Sequence, residues 1–329
     1  MQEQQNKRQP SIGYERLQIG SVLLGVAIIF LTTSIFAALI DAILATAAPD
    51  AREADWYPLV RSGLCMYLLA MPLSLLFFCM GRATPSEHRE KLSLPVLLGL
   101  AAIALTLTYL CNLLGTLSNV LVGAITGEMP AHALESTTTT SPLWTNLIFV
   151  GILAPVTEEL FFRKLVIDRL RRYGDLFAVL FSGVIFGLVH GNLYQFFYAC
   201  AMGVFFGYLY LRTGRLRYTV LLHALINLFG AVYASEMLKA LDPTLFATDP
   251  LAAIAASPAG ALMLVIYVAV LALSFIGAIV AAVLLALRWV KGYRFAPPAR
   301  KFSANEWVQV LALNPALWVF AVFVFMFYL

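Results

Sequence analysis

Charged side chains are scarce in this sequence. Asp, Glu, Lys and Arg make up 12% of its 329 residues, whereas hydrophobic residues make up 61%. Soluble globular proteins carry about 25% charged residues, so this chain has too little polar surface to cover a water-soluble fold. The composition therefore excludes an ordinary soluble protein and indicates a bilayer as the solvent, with membrane lipid as the first expected partner.

Several catalytic signatures are also missing. No HExxH sequence occurs, which excludes a zinc protease with two histidines one helical turn apart. No GxSxG nucleophile elbow occurs either. A two-aspartate membrane protease needs two aspartates within its spans, and only Asp41 falls inside an apolar run. The four cysteines lie in apolar stretches without a CxxC pair, so they predict neither a disulfide nor a metal site.

Long apolar runs predict an all-α fold, a polytopic transmembrane helical bundle of about nine spans. Each run is near the 20 residues or so that a membrane-spanning helix needs. The predicted spans are 19–47, 59–80, 93–125, 143–165, 175–190, 193–211, 218–235, 259–288 and 307–329. The tripeptide His190-Gly191-Asn192 predicts a tight turn between the fifth and sixth spans. The spacing of Gly203 and Gly207 predicts close helix packing.

The distribution of basic residues predicts the orientation. If the N-terminus is cytoplasmic, nineteen of the 22 Lys and Arg residues fall on cytoplasmic segments. Only Arg52, Arg61 and Lys239 fall on the other side. This positive-inside pattern predicts a cytoplasmic N-terminus and an external C-terminus. The basic excess therefore reflects membrane orientation rather than attraction to nucleic acid, and we expect residence in the plasma membrane.

The fourth span carries charged residues at membrane depth, where each charge costs at least about 2.5–3.5 kcal/mol. Glu159 and Arg163 are four residues apart, on one helix face, and can pair. Glu158 lies about 100° around the helix and is left without that partner, which suits a general base. Pro155 lacks a backbone N–H and predicts a kink one turn earlier.

Two further spans each carry a polar pair at helical spacing. Phe186 and His190 share one face of the fifth span, so the ring could orient the imidazole. His223 and Asn227 share one face of the seventh span. Taken alone, a histidine in a span is typical of interhelical hydrogen bonding. Together with the glutamate helix, the two pairs predict a shared polar site.

These three patterns, in this order, resemble the motifs of the CAAX protease and bacteriocin-processing family, the type II CAAX endopeptidases also called the Abi family. The motifs are Glu158-Glu159-xxx-Arg163, Phe186-xxx-His190 and His223-xxx-Asn227. The resemblance covers about residues 143–235. It implies an intramembrane endopeptidase that hydrolyses a bond in a membrane-associated or CAAX-like peptide or protein, lipidated or not.

By this resemblance, Glu158 deprotonates the attacking water with help from His190. His223 and Asn227 donate hydrogen bonds to the developing oxyanion, which is commonly the largest electrostatic contribution to such a reaction. The family has also been described as metal-dependent, and zinc could take His190, His223 and Glu158, leaving one position open. A mechanism without a cofactor is favoured, because asparagine suits an oxyanion donor better than a zinc ligand.

The resemblance also assigns supporting roles and a division of the chain. Glu159 and Arg163 would fix the helix and the orientation of its catalytic glutamate. Residues 1–142 would form a tail and three accessory helices, and 143–235 the catalytic core of helices four to seven. Residues 236–329 would form an outer loop and two more accessory helices.

Two other functions are compatible with the same pattern. A non-catalytic membrane scaffold or immunity protein could keep the fold without activity, although all the candidate catalytic residues are present. A proton-coupled carrier could use intramembrane Glu and His as a relay, although the sequence contains no internal repeat.

Overall fold

A computed structural model describes residues 10–86, 88–130, 133–288 and 294–328. Every regular element in these residues is helical, which confirms the all-α prediction. The longer helices are α1 (Ile12–Ala47), α2 (Tyr57–Phe78), α3 (Leu94–Thr126), α4 (Leu143–Tyr173), α5 (Asp175–Leu188), α6 (Leu193–Thr213), α7 (Leu216–Ala240), α8 (Pro258–Arg288), α9 (Ala304–Ala312) and α10 (Pro315–Tyr328). Short helices in the connections are Pro49–Glu53, Ala133–Thr140, Pro243–Thr248 and Pro250–Ala256.

Six helices of the described residues are long and apolar enough to cross a membrane: α1, α2, α3, α4, α7 and α8. The pair α9 and α10, bent by 55°, makes a seventh if it is counted as one span. Two predicted spans are outside this group. The fifth, α5, has only 14 residues, and the sixth, α6, is less apolar because four tyrosines and a glutamine interrupt it.

The outer faces of these helices are apolar. Leu117 on α3 is 56% exposed and Leu273 on α8 is 68% exposed. Lipid, unlike water, accepts such surfaces without cost, while the helical backbone satisfies its own hydrogen bonds. The chain is thus an integral membrane protein. The nine-span count and the orientation stay predictions, and Lys7, Arg8 and Lys291 from the charge pattern lie outside the described residues.

Helix α4 lies at the centre of the bundle. It contacts α1, α2, α5, α6 and α7. Farther out, α6 packs on α5 and α3, α3 packs on α8, and α1 packs on α2 and α10. A single hydrophobic cluster includes buried residues of α1, α2, α4, α5, α6, α9 and α10. Helices on either side of 143–235 therefore help to bury α4, and the division of the chain into a core and accessory parts stays a prediction.

Helices α5 and α6 form a tight hairpin. Gly191 adopts a φ of 66°, and Asn192 caps α6 by accepting a hydrogen bond from the Gln195 amide at 3.0 Å, which confirms the predicted turn. Near its middle, the hairpin packs backbone against backbone. A Cβ added to Gly203 would lie 2.7 Å from the Cα of Gly183, so the predicted close packing is also present.

A buried carboxylate joins α1 to the C-terminal end of α4. Glu15 is 1% exposed and accepts hydrogen bonds from Arg172 Nη2 at 2.9 Å and from the Tyr173 hydroxyl at 2.8 Å. In the same region, Arg169 Nε donates to the Phe78 carbonyl at the end of α2 over 2.8 Å. A buried charge is tolerated only when it is paired and hydrogen-bonded, so these contacts fix how α1 and α2 lie against α4.

We expect Glu15→Ala to destabilise the fold by about 2–4 kcal/mol, because it leaves Arg172 beside an empty space without its ion-pair partner. The measurement is thermal unfolding of the purified protein in detergent. Glu53→Ala is the matched control, since Glu53 is exposed. Equal melting temperatures for the two variants would show that the α1–α4 contact adds no stability.

Candidate active site

A histidine of α7 faces both glutamates of α4. His223 Nδ1 lies 3.0 Å from Glu159 Oε1, and its Nε2 lies 3.8 Å from Glu158 Oε2. All three residues are buried. Because the two carboxylates project from adjacent positions of one helix, a single imidazole placed between them contacts both. The structure thus brings together residues that are 64 positions apart in sequence.

The predicted ion pair between Glu159 and Arg163 is present. Arg163 Nε and Nη2 donate to the two carboxylate oxygens at 2.9 and 3.0 Å, and both side chains are fully buried. Nη1 is buried without a hydrogen-bond partner among the described residues. The guanidinium instead lies against two aromatic rings, 5.1 Å from the centroid of Phe186 and 5.9 Å from that of Phe206. Such cation–π contacts stabilise a desolvated cation.

The backbone of α4 changes pitch on both sides of the glutamates. Asn146–Leu153 and Leu160–Ile167 adopt wider π-helical turns, and Ala154–Glu159 between them is α-helical. Pro155 has no N–H to donate to the preceding turn. A widened turn therefore precedes the proline where a kink was predicted. Turns of this kind are frequent at functional sites.

His190 lies two residues after the end of α5 and is oriented by Phe186. Its Nδ1 lies 2.7 Å from the Phe186 carbonyl, which can only accept, so Nδ1 carries the proton and Nε2 is the acceptor nitrogen. The predicted ring contact is present too, with the two ring centroids 5.0 Å apart and nearly perpendicular. The same phenyl ring lies 5.9 Å from His223. Phe186 thus lies against both imidazoles.

Asn227 lies one turn after His223 and also faces α4. Its Nδ2 donates to the Val150 carbonyl at 2.9 Å. Because that carbonyl can only accept, the contact identifies which end of the amide faces α4. A carboxamide has two N–H groups, and within the described part of the chain only one of them has a partner. The half-buried position of Asn227 suits contact with a molecule entering the site.

Glu158 has a partner that the sequence did not reveal. The hydroxyl of Tyr67, on α2, donates to Glu158 Oε1 at 2.7 Å. The expectation that Glu158 lacks a partner is therefore wrong, because it considered neighbours on the same helix only. A tyrosine hydroxyl inside an apolar span must find an acceptor, and that requirement was the available signal. The contact of Phe206, on α6, with Arg163 was also missed, because it too joins two different helices.

The alternative zinc set is not assembled in this arrangement. Among the described residues, no group of three or more His, Cys, Asp or Glu side chains could hold a metal ion. The residues as placed do not fit a three-ligand zinc site, and the role of zinc stays a prediction.

Comparisons with known proteins agree with the motif-based resemblance. Residues 140–229 match the family described as Type II CAAX prenyl endopeptidase Rce1-like. Over 94 residues, the chain is 35% identical to "Putative membrane peptidase YdiL" of Bacillus subtilis (strain 168). This match covers 28% of the chain and only 38% of that relative. No solved structure matches the chain. The predicted resemblance to the CAAX protease family is confirmed over this segment, which contains all three motifs.

A double-mutant comparison tests the buried ion pair. Arg163→Met leaves the Glu159 carboxylate buried without its cation, so we expect a loss of about 3–5 kcal/mol. The double variant Glu159→Gln/Arg163→Met removes both charges and should recover a large part of that loss. Thermal unfolding in detergent measures both, with exposed Arg52→Met as the matched control. A double variant less stable than Arg163→Met would contradict this description of the pair.

Proposed function

We propose that this protein is an intramembrane endopeptidase in which Glu158 activates a water molecule to hydrolyse a peptide bond. The observation that carries the proposal is the convergence of His223 with both glutamates of α4. This arrangement lies in the segment that is similar to type II CAAX prenyl endopeptidases. Burying polar groups within a membrane costs free energy, so a buried polar site on membrane-spanning helices indicates a functional site.

In the first step, Glu158 acts as the general base. Its Oε2, on the side of His223, takes a proton from water as the water oxygen attacks the carbonyl carbon of the substrate. His190 assists, because its Nε2 is the unprotonated nitrogen in the tautomer fixed by Phe186 and can accept a hydrogen bond from the same water. The peptide C=O bond becomes a C–O single bond that carries a negative charge.

Hydrogen-bond donors on α7 then stabilise that oxyanion. Asn227 offers the N–H that the Val150 carbonyl leaves unused. When both ring nitrogens of His223 are protonated, Nδ1 donates to Glu159 and Nε2 can donate to the oxyanion. Fixed donors of this kind favour the transition state because they need no reorganisation during the reaction.

The second half of the reaction restores the site. The proton held by Glu158 passes to the amide nitrogen as the C–N bond breaks, which releases an amine and a carboxylic acid. Glu158 is then again a carboxylate. Glu159 and Arg163 take no part in the proton transfer. Their bonded pair fixes the face of α4 and holds Nδ1 of His223.

The substrate is proposed to be a peptide or protein at the membrane, including CAAX-like tails with or without a lipid. The family description concerns prenyl endopeptidases, and the curated relative is named as a membrane peptidase. A site among apolar helices favours substrates that partition into lipid. The plasma membrane is the proposed location.

Cleavage by the purified protein tests the proposal. We expect the protein in detergent to cleave members of a quenched fluorescent peptide library that includes prenylated tails, with or without a chelator. Glu158→Gln should lose cleavage because an amide cannot take the proton from water. Glu128→Gln is the matched control, since Glu128 is exposed at the end of α3.

Each rival function gives a different result in that assay. Loss of cleavage with a chelator and its recovery with zinc would support a metal mechanism. A well-folded protein that cleaves nothing would favour the scaffold or immunity role. A carrier would show substrate flux in vesicles that partly survives Glu158→Gln.

The oxyanion role of Asn227 is tested by Asn227→Ala. We expect kcat to fall by about 100- to 1000-fold, because one donor to the developing charge is lost. KM should change little, since the ground-state carbonyl accepts more weakly. Steady-state kinetics on a cleaved peptide measure both, beside exposed Asn305→Ala. A variant with a raised KM and an unchanged kcat would assign Asn227 to substrate binding instead.

A further inference from the structure

We infer that Tyr67 on α2 is a positioning residue for Glu158, holding one carboxylate oxygen so that the other faces the reacting water. The inference rests on the proposed function. It extends the proposed active site to α2, a helix outside residues 140–229, the segment that matches the endopeptidase family.

The two oxygens of Glu158 have different surroundings. Oε1 accepts a 2.7 Å hydrogen bond from the Tyr67 hydroxyl. Oε2 is on the side of α7, 3.8 Å from His223 Nε2. The carboxylate therefore bridges α2 and α7, with a donor fixed on one oxygen and the histidine on the side of the other. The second oxygen is the one on the side of His223, a residue proposed to act on the substrate.

This asymmetry matters because a carboxylate has two equivalent oxygens. The terminal torsion of a glutamate is broad, so without a fixed contact the base could rotate away from the water. A donor on Oε1 removes that freedom before the substrate arrives, and catalytic groups need such pre-organisation to about 0.5 Å. The hydroxyl can stay hydrogen-bonded to Oε1 whether Oε2 is unprotonated or has taken the proton from water. Tyr67 thus exchanges no proton with the substrate.

Helix α2 is held against α4 on both sides of Tyr67. Towards its C-terminal end, Arg169 donates to the Phe78 carbonyl at 2.8 Å, with the guanidinium 5.3 Å from the Phe78 ring centroid. Towards its N-terminal end, Gly63 contacts the Phe149 ring so closely that an added Cβ would lie 2.1 Å from Cδ1. The hydroxyl between these two contacts is therefore carried by a fixed helix rather than by a loop.

The experiment is Tyr67→Phe in the full chain, assayed for peptide cleavage. Phenylalanine keeps the packing and removes the donor. A hydrogen bond to a charged group contributes enough that kcat should fall by about 10- to 100-fold. KM should stay within about threefold while kcat falls, a split that a purely structural residue would not give.

Tyr57→Phe is the matched control. Tyr57 lies on the same helix and donates its hydroxyl to a different carboxylate, Asp41 of α1. Asp41 keeps its ion pair with Arg61, so the variant should cleave at the wild-type rate. As a rescue, 3,5-difluorotyrosine at position 67 retains a hydroxyl donor and should restore kcat to within about threefold of the wild type.

A wild-type kcat in Tyr67→Phe, while Glu158→Gln is inactive, would overturn the inference and leave the proposed function intact. A fall in kcat matched by a raised KM would also overturn it, in favour of a structural role. If the wild type cleaves no peptide, the inference falls together with the proposed function.

A second measurement does not depend on activity. Thermal unfolding of Tyr67→Phe, Glu158→Gln and the double variant reports whether the two residues act through each other. We expect the double variant to lose less stability than the two single variants together, because Glu158→Gln already replaces the charge-assisted hydrogen bond with a weaker neutral one. Strictly additive losses would show that the hydroxyl and the carboxylate are not coupled.

Discussion

The ion pair between Glu159 and Arg163 is the interaction on which the rest of the site depends. Both side chains are fully buried, and desolvating two charges costs several kcal/mol per ion before any attraction is gained. The surroundings must offset that cost. The carboxylate accepts from the guanidinium twice and is contacted by His223 Nδ1, while aromatic faces cover the cation. Because His223 contributes to this arrangement, α7 must approach α4 at the level of the glutamates.

The contacts of two aromatic rings with Arg163 explain why α5 and α6 pack closely. Phe186 contacts His190 through its carbonyl and lies against Arg163 and His223 through its ring, so α5 must lie directly against α4. Phe206 on α6 contacts the same guanidinium. Both rings can reach one cation only if the two helices lie close together, which the glycine contact near the middle of the hairpin permits.

Contacts within one helix could be predicted from sequence, because helical geometry fixes them. Glu159 with Arg163 and Phe186 with His190 are of this kind. Contacts between helices follow from packing, so the hydroxyl of Tyr67 on Glu158 could not be read from spacing. The number of membrane spans is hard to predict from sequence for a related reason. An apolar run does not distinguish a helix that faces lipid from one enclosed by protein, and α5 at 14 residues is too short for an ordinary span.

The motif-bearing helices supply the groups that are proposed to react, but their surroundings come from the whole bundle. On a soluble enzyme, water could satisfy the face of a catalytic carboxylate that is turned away from the substrate. Within a bilayer that face would meet hydrocarbon, where an unsatisfied polar group costs several kcal/mol. Here α2 covers Glu158 and brings a hydroxyl to it, and α1 and α2 are bonded to the end of α4 through Glu15 and Phe78. Helices α1 and α2, which carry no catalytic motif, thus provide polar contacts to α4 that solvent would provide elsewhere.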